Sequence, residues 1–166
     1  MAHLEQWFRA VDADNSGQID ALELQRALAM GNLRFSLATV AHMIRVHDQN
    51  NSGSIDFNEF RRLHEFLVDM QNSFNYFDKD RGGTLTPDEV YSAVVNAGFR
   101  LDQHAFSAMV RAFDPDRNGQ LGLAEFIAMT LFLKSAAATF SAFDPHQTGR
   151  VTLDFSQFIY ASSNIR

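Results

Sequence analysis

The sequence predicts an all-α protein built from five helix–loop–helix units, and three observations predict it. First, five windows open with Asp and carry Gly at the sixth place: DADNSGQIDALE from Asp12, DQNNSGSIDFNE from Asp48, DKDRGGTLTPDE from Asp78, DPDRNGQLGLAE from Asp114 and DPHQTGRVTLDF from Asp144. Their first residues are 36, 30, 36 and 30 positions apart, the signature of an internal repeat. Second, apolar residues flank every window at helical spacing. Third, residues 60–77 and 126–143 contain neither Gly nor Pro, so one helix can leave a loop and enter the next.

In chain order, Phe8 and Val11 precede the first window and Leu24 follows it. The helix after that window meets Met30-Gly31-Asn32, a C-terminal stop, and Ser36 caps a new helix carrying Ile44. In 60–77, Phe60, Leu63, Phe66 or Leu67, Met70, Phe74 and Phe77 keep the three-four rhythm of one apolar face. Within the third window Thr86 caps a helix, Pro87 takes its first position and Glu89 closes a capping box. Val90 begins that helix's apolar face, Asn96-Ala97-Gly98 stops it, and Asp102 caps the next, which brings Val110 and Phe113 to the fourth window. From Phe126 the second uninterrupted segment is apolar nearly all round, with Ile127, Leu131 and Phe132 opposite Met129, Leu133 and Phe140. Such a helix should be buried on most sides, by its own chain or by a partner. Phe140 and Phe143 lead into the fifth window, and these core positions absorb much of the 16 Phe.

The place-eight residues Ile19, Ile55, Leu85 and Leu121 suit short β-ribbons that pair loop one with two and loop three with four. Val151, their counterpart in the fifth window, has no mate in the chain, and an unpaired apolar edge invites a second chain.

The windows hold 16 of the 20 acidic residues and 4 of the 14 basic ones, so they carry −12 while the remainder carries +6, giving the net −6. Each of the first four fits the calcium loop D-x-[DN]-x-x-G-x5-E. A hard divalent cation takes six to eight oxygens at about 2.3–2.6 Å, and a tight loop aims alternate residues at its centre. The expected ligands of loop one are Asp12, Asp14, Ser16, the Gln18 carbonyl and both oxygens of Glu23, with Asp20 acting through water. Loop two offers Asp48, Asn50, Ser52, the Ser54 carbonyl and Glu59. Loop three offers Asp78, Asp80, the Thr84 carbonyl and Glu89, with water in place of the side chain Gly82 lacks. Loop four offers Asp114, Asp116, Asn118, the Gln120 carbonyl and Glu125, with a gap for water at Gly122. The fifth places His146 where an oxygen belongs and Phe155 at the twelfth place, so three or four Ca²⁺ are expected and none at Asp144.

Composition excludes other classes. A hydrophobic share of 46% with 20% charged residues is globular, and no stretch reaches the roughly 18–20 apolar residues that span a bilayer. MAHLEQWF does not read as a signal peptide. Absence of Cys removes disulfides, thiolate zinc and Cys nucleophiles, and suits a reducing compartment. Net acidity and the lack of a basic, aromatic-interleaved face argue against nucleic acid. His3, His42, His47, His64, His104 and His146 show no metal-ligand or triad spacing, and Val68 stands where a zincin motif from His64-Glu65 needs its second His. No enzyme is expected.

Five such windows, two shared helices and a degenerate last loop closely resemble the penta-EF-hand family, over essentially all of residues 4–166. LEQWFRAVDADNSGQIDALELQRAL, FDKDRGGTLTPDEV and GFRL are similar to its apoptosis-linked branch. The resemblance implies one domain over 1–166, with EF-hands at 4–32, 37–70, 68–98, 103–135 and 134–164. It also implies a calcium sensor or adaptor that forms a homodimer or heterodimer through its fifth hand. Peptide partners, often Pro-rich, would be recruited on calcium binding. The implied location is cytoplasmic, with nuclear presence and a calcium-driven move to membrane surfaces. Competing readings are a passive calcium buffer and a regulatory subunit of a larger enzyme, as the calpain small subunit is. In the apoptosis-linked branch loops two and four are usually poor calcium sites, whereas here both keep Asp first and Glu last.

Overall fold

The computed structural model of the chain describes residues 2–165. It contains α1 (Ala2–Val11), α2 (Ala21–Met30), α3 (Leu37–His47), α4 (Phe57–Phe77), α5 (Pro87–Asn96), α6 (Gln103–Ala112), α7 (Leu123–Phe143) and α8 (Phe155–Ile165). The caps follow the sequence signals. Asp20, Ser36, Asp56, Thr86 and Asp102 each accept a hydrogen bond from a backbone N–H of the first turn. Asp20 with Glu23, Asp56 with Glu59 and Thr86 with Glu89 complete reciprocal capping boxes.

The stop after α2 falls at Met30-Gly31-Asn32 as expected. Gly31 has φ −92° and the left-handed residue is Asn32 at φ 69°. After α5 the corresponding place is Gly98, at φ 94°. In both, a backbone amide beyond the bend reaches back into the last turn, Leu33 to Leu28 at 2.9 Å and Phe99 to Val94 at 3.1 Å. Asn is the residue that best tolerates this conformation after Gly, so the two stops are equivalent despite different residues.

Two apolar cores result. The first gathers Phe8, Val11, Ile19, Leu24, Val40, Met43, Ile55 and Phe60 among others. The second gathers Phe74, Phe77, Leu85, Val90, Phe106, Met109, Leu121 and Phe126. α4 and α7 each reach both. Phe60, Leu63 and Phe66 of α4 lie in the first core, and Phe74 and Phe77 in the second. Ile127 and Leu131 of α7 lie in the first, while Phe126, Met129 and Leu133 lie in the second. The nearly uniform apolarity of α7 is thus explained over its first half, which is packed between the two cores.

Three of the expected core positions of α7 depart from the expectation, one in the side it takes and two in burial. Phe132 packs against the second core, with its ring 5.5 Å from that of Phe113, instead of siding with Ile127 and Leu131. Phe140 is 42% exposed and Phe143 is half-buried. α3 and α4 meet α7 no further along than Lys134 and Ser135 in the contacts described, through the Phe66 ring and His42, and α8 is the element that packs on its last turns, where Phe143 meets Tyr160.

Antiparallel bridges join Ile19 to Ile55 and Leu85 to Leu121. The four residues are fully buried, and each pair exchanges two backbone hydrogen bonds of 2.8 and 3.0 Å. Among the described residues no bridge includes Val151.

Candidate metal centre

All five windows share one backbone course up to the sixth place. The fourth-place residues Asn15, Asn51, Arg81, Arg117 and Gln147 have φ of 53–55°, and the sixth-place glycines 17, 53, 83, 119 and 149 have φ of 77–85°. A side chain at the sixth place would be strained, which is why Gly stands there. This bend turns successive N–H groups onto the opening Asp. The amides of Gly17, Gly53, Gly83, Gly119 and Gly149 donate to its Oδ2 at 2.8–3.0 Å.

In loop one, oxygens of Asp12, Asp14 and Glu23 all lie within 4.8 Å of one another, the one such acidic group among the described residues. Ser16 donates to Asp14 from its backbone N–H at 3.1 Å, and the Ser16 side chain and backbone together hold the Asp14 carboxyl below its ordinary pKa. The Ser16 hydroxyl donates to the Gln18 carbonyl at 2.8 Å. Loop two repeats the arrangement. The Ser52 amide donates to Asp48 and to Asn50 at 3.0 and 3.1 Å, and the Ser52 hydroxyl donates to the Ser54 carbonyl at 2.8 Å. In loop three the Gly82 amide donates to Asp80 at 2.9 Å, but Gly82 has no hydroxyl to hold the Thr84 carbonyl.

The twelfth-place Glu is the third residue of each exiting helix. Glu23, Glu59 and Glu89 each accept at Oε1 from the ninth-place amide and at Oε2 from the second-place amide, of Ala13, Gln49 and Lys79 at 2.8, 2.7 and 3.1 Å. Bonds from the Thr86 and Lys79 amides hold the Glu89 carboxyl below its usual pKa.

Loop four departs from this pattern. Its second residue is Pro115, which has no N–H, so Glu125 keeps only the bond from Gly122 at 2.8 Å. Asp114 is buried, and its Oδ1 has no hydrogen-bond partner. A buried carboxylate oxygen without a donor is costly unless a cation faces it. With Asp116, Asn118 and the Gln120 carbonyl on the same loop, this donor set of hard oxygens fits Ca²⁺.

The fifth loop differs in length. α2, α4, α5 and α7 begin at the tenth place of their loops, whereas α8 begins at the twelfth. Asp154 caps it, accepting from the Gln157 amide at 2.8 Å while Gln157 Oε1 accepts from the Asp154 amide at 2.9 Å. Gln157, third in its helix, is therefore the counterpart of Glu23, Glu59, Glu89 and Glu125, and Phe155 is not. The strict twelve-residue template hid this register. The Asp154-x-x-Gln157 capping box was the signal that could have shown it. The loop still offers no bidentate carboxylate.

Side chains at the seventh place meet across each loop pair, which a backbone-ligand reading of these residues did not anticipate. The Ser54 hydroxyl donates to Gln18 Oε1, and the Thr84 hydroxyl donates to Gln120 Oε1. His47, beside Asp48, donates from Nδ1 to the Met43 carbonyl at 2.9 Å, so it is a neighbour of the second loop and is turned to its own helix.

Paired helix–loop–helix units with these oxygen-lined loops define an EF-hand calcium-binding protein. Two stretches, 15–73 and 67–131, each match a different family model, both described as an EF-hand domain pair. Over 158 residues the chain is 34% identical to sorcin of Homo sapiens, covering 92% of this chain and 78% of that protein. It is 31% identical over 154 residues to penta-EF hand domain-containing protein 2 of Dictyostelium discoideum, covering 93% and 74%. A solved structure of a homolog of programmed cell death 6 protein from Leishmania major Friedlin superposes with a TM-score of 0.76 at 37% identity, covering 98% of this chain and 94% of that one. The chain belongs to the penta-EF-hand family.

Proposed function

We propose that this protein is a calcium-triggered adaptor of five EF-hands over 1–166, and not an enzyme. Loops one to four would hold Ca²⁺ through the residues named above, and the loop from Asp144 would not. The ion supplies a charge that draws the third-residue glutamate of each exiting helix into its coordination shell.

One observation carries the sensor reading: Glu125 lies two residues before Ile127, on a helix that sits in both cores. Glu125 would help hold the ion, and a shift of the start of α7 on binding would be transmitted through Ile127 and Leu131 to the core of the other loop pair. A buffer needs no such linkage. The test is fluorescence of an apolar dye on adding calcium: an increase is expected from newly exposed apolar surface, and no change would favour the buffer reading.

The α8 face supports pairing through the fifth hand. Phe155, Phe158, Ile159 and Tyr160 are all exposed there, and Phe140 of α7 lies exposed in the same hand. A second copy would cover it, and so would a larger enzyme chain to which this protein is a regulatory subunit. Calcium-dependent peptide partners, Pro-rich ones included, belong to the same reading. Three bound Ca²⁺ would bring the formal −6 to 0 and four to +2, which favours anionic membrane surfaces. We place the protein in the cytoplasm and nucleus, with peripheral membrane association when calcium rises.

A further inference from the structure

The seventh loop place suggests which chains the fifth hand accepts. In both loop pairs the two bridges at the eighth place are accompanied by a donor–acceptor match one residue earlier, Ser54 to Gln18 and Thr84 to Gln120. The polarity is reversed between pairs. The amide side chain belongs to the earlier loop in the first pair and to the later loop in the second. What recurs is therefore complementarity at this place, a hydroxyl facing an amide oxygen, and not a particular residue in a particular loop.

The fifth loop keeps the shared backbone course through this region. Gln147 has φ 55° and Gly149 φ 83°, and the Thr148 hydroxyl donates to the seventh-place carbonyl at 3.0 Å, as Ser16 and Ser52 do at 2.8 Å. Its two extra residues come after the eighth place, in 152–154, so Val151 and the residue before it are presented as in the other loops. That residue is Arg150, and it is exposed. A guanidinium has five donors and no acceptor. Two copies joined at Val151 would bring two such cations together where the internal pairs set a donor against an acceptor.

We propose that Arg150 biases the fifth hand against a second copy of this chain and towards a related chain with a carboxylate or amide oxygen at the seventh place of its own last loop. This rests on the pairing reading above. The partner fitted by the edge is thus an EF-hand chain with Asp, Glu, Asn or Gln at that position, docking by the same antiparallel bridge. Like charges opposed across a ribbon are unfavourable and opposite charges are favourable, so one residue can tilt the choice.

The test uses the full chain and the variant Arg150→Glu, an exposed substitution, with association measured by sedimentation velocity and native mass spectrometry in calcium. At low ionic strength the mixed dimer of wild type with Arg150→Glu is expected to be about tenfold tighter than wild type with itself, and the gap should narrow as salt rises. Self-association of wild type as tight as the mixed pair would overturn the proposal. Val151→Pro in both partners removes the amide the bridge needs. If Val151→Pro abolishes association but charge at 150 has no effect, the pairing reading stands and the Arg150 rule falls. If Val151→Pro changes nothing, the pairing reading falls and takes the rule with it.

Discussion

Ile127 and Met129, two residues apart on α7, are both fully buried, and they belong to different cores. Two residues turn a helix by about 200°, so these side chains leave opposite sides of one cylinder. α7 is thereby a shared wall, and stability should pass through it.

Met129→Ala should cost about 2–5 kcal/mol through the cavity it leaves in the second core. Trp7, the single tryptophan, packs edge-on against Phe60 of the first core at 5.7 Å. Urea unfolding followed at Trp7 should therefore shift together with far-UV circular dichroism. A Trp7 transition that stays in place would show that the two cores unfold separately.

Glu23→Gln removes one charge and the symmetric bidentate oxygens from the most acidic loop. Calcium affinity at that site should fall at least about tenfold, because charge count sets the affinity class of such loops. Titration calorimetry would resolve this as loss of the tightest step. An unaltered first step would contradict the ligand assignment.

Gln157→Glu supplies a carboxylate at the helix position where the other four loops have one, whereas Phe155→Glu places it on the first residue of α8. Only the former should add a divalent-cation site to the calorimetric count. A gain from Phe155→Glu instead would mean that the fifth loop follows the twelve-residue register.

His42 is buried, and its Nε2 shares a 2.6 Å hydrogen bond with the Ser135 hydroxyl, joining α3 to α7. Burial lowers its pKa, and the Arg45 charge lowers it further. A histidine with a folded pKa below its unfolded value of about 6.5 binds fewer protons when folded. Its contribution is therefore fully present above about pH 6.5 and is lost progressively as pH falls below that value through the lower folded pKa. In chelator, thermal unfolding of the wild type should drop in Tm between about pH 7.5 and 5.5, and His42→Gln should flatten that slope. Equal slopes would remove His42 as the titrating group.

Much of the fold is legible in local signals because those signals act locally. A cap needs one side chain three residues from an amide, and Thr86-Pro87-Asp88-Glu89 declares it in four letters. The bend at each sixth-place Gly needs only a residue free to adopt positive φ. The ligand residues are readable for the same reason, since twelve consecutive residues form the whole cradle. What misled was the assumption that every window has the same length. The exiting helix of the fifth starts where Asp154 and Gln157 can cap it, and the count from Asp144 does not decide that.

The sequence by itself thus determined the helices, the loop cradles and the acid concentrated in them, all matters of spacing within a few turns of chain. Only the tertiary structure decided which core each face of α7 enters, and it left Phe140 in solvent although the helical pattern counts it with buried residues. It also set Ser54 against Gln18, 36 residues apart, and left Asp114 Oδ1 without a donor. Periodicity states that a side chain is apolar and which way it faces along its own helix. Whether another surface arrives there depends on how many units the chain has to pack, and among the described residues the fifth loop is bridged to no other.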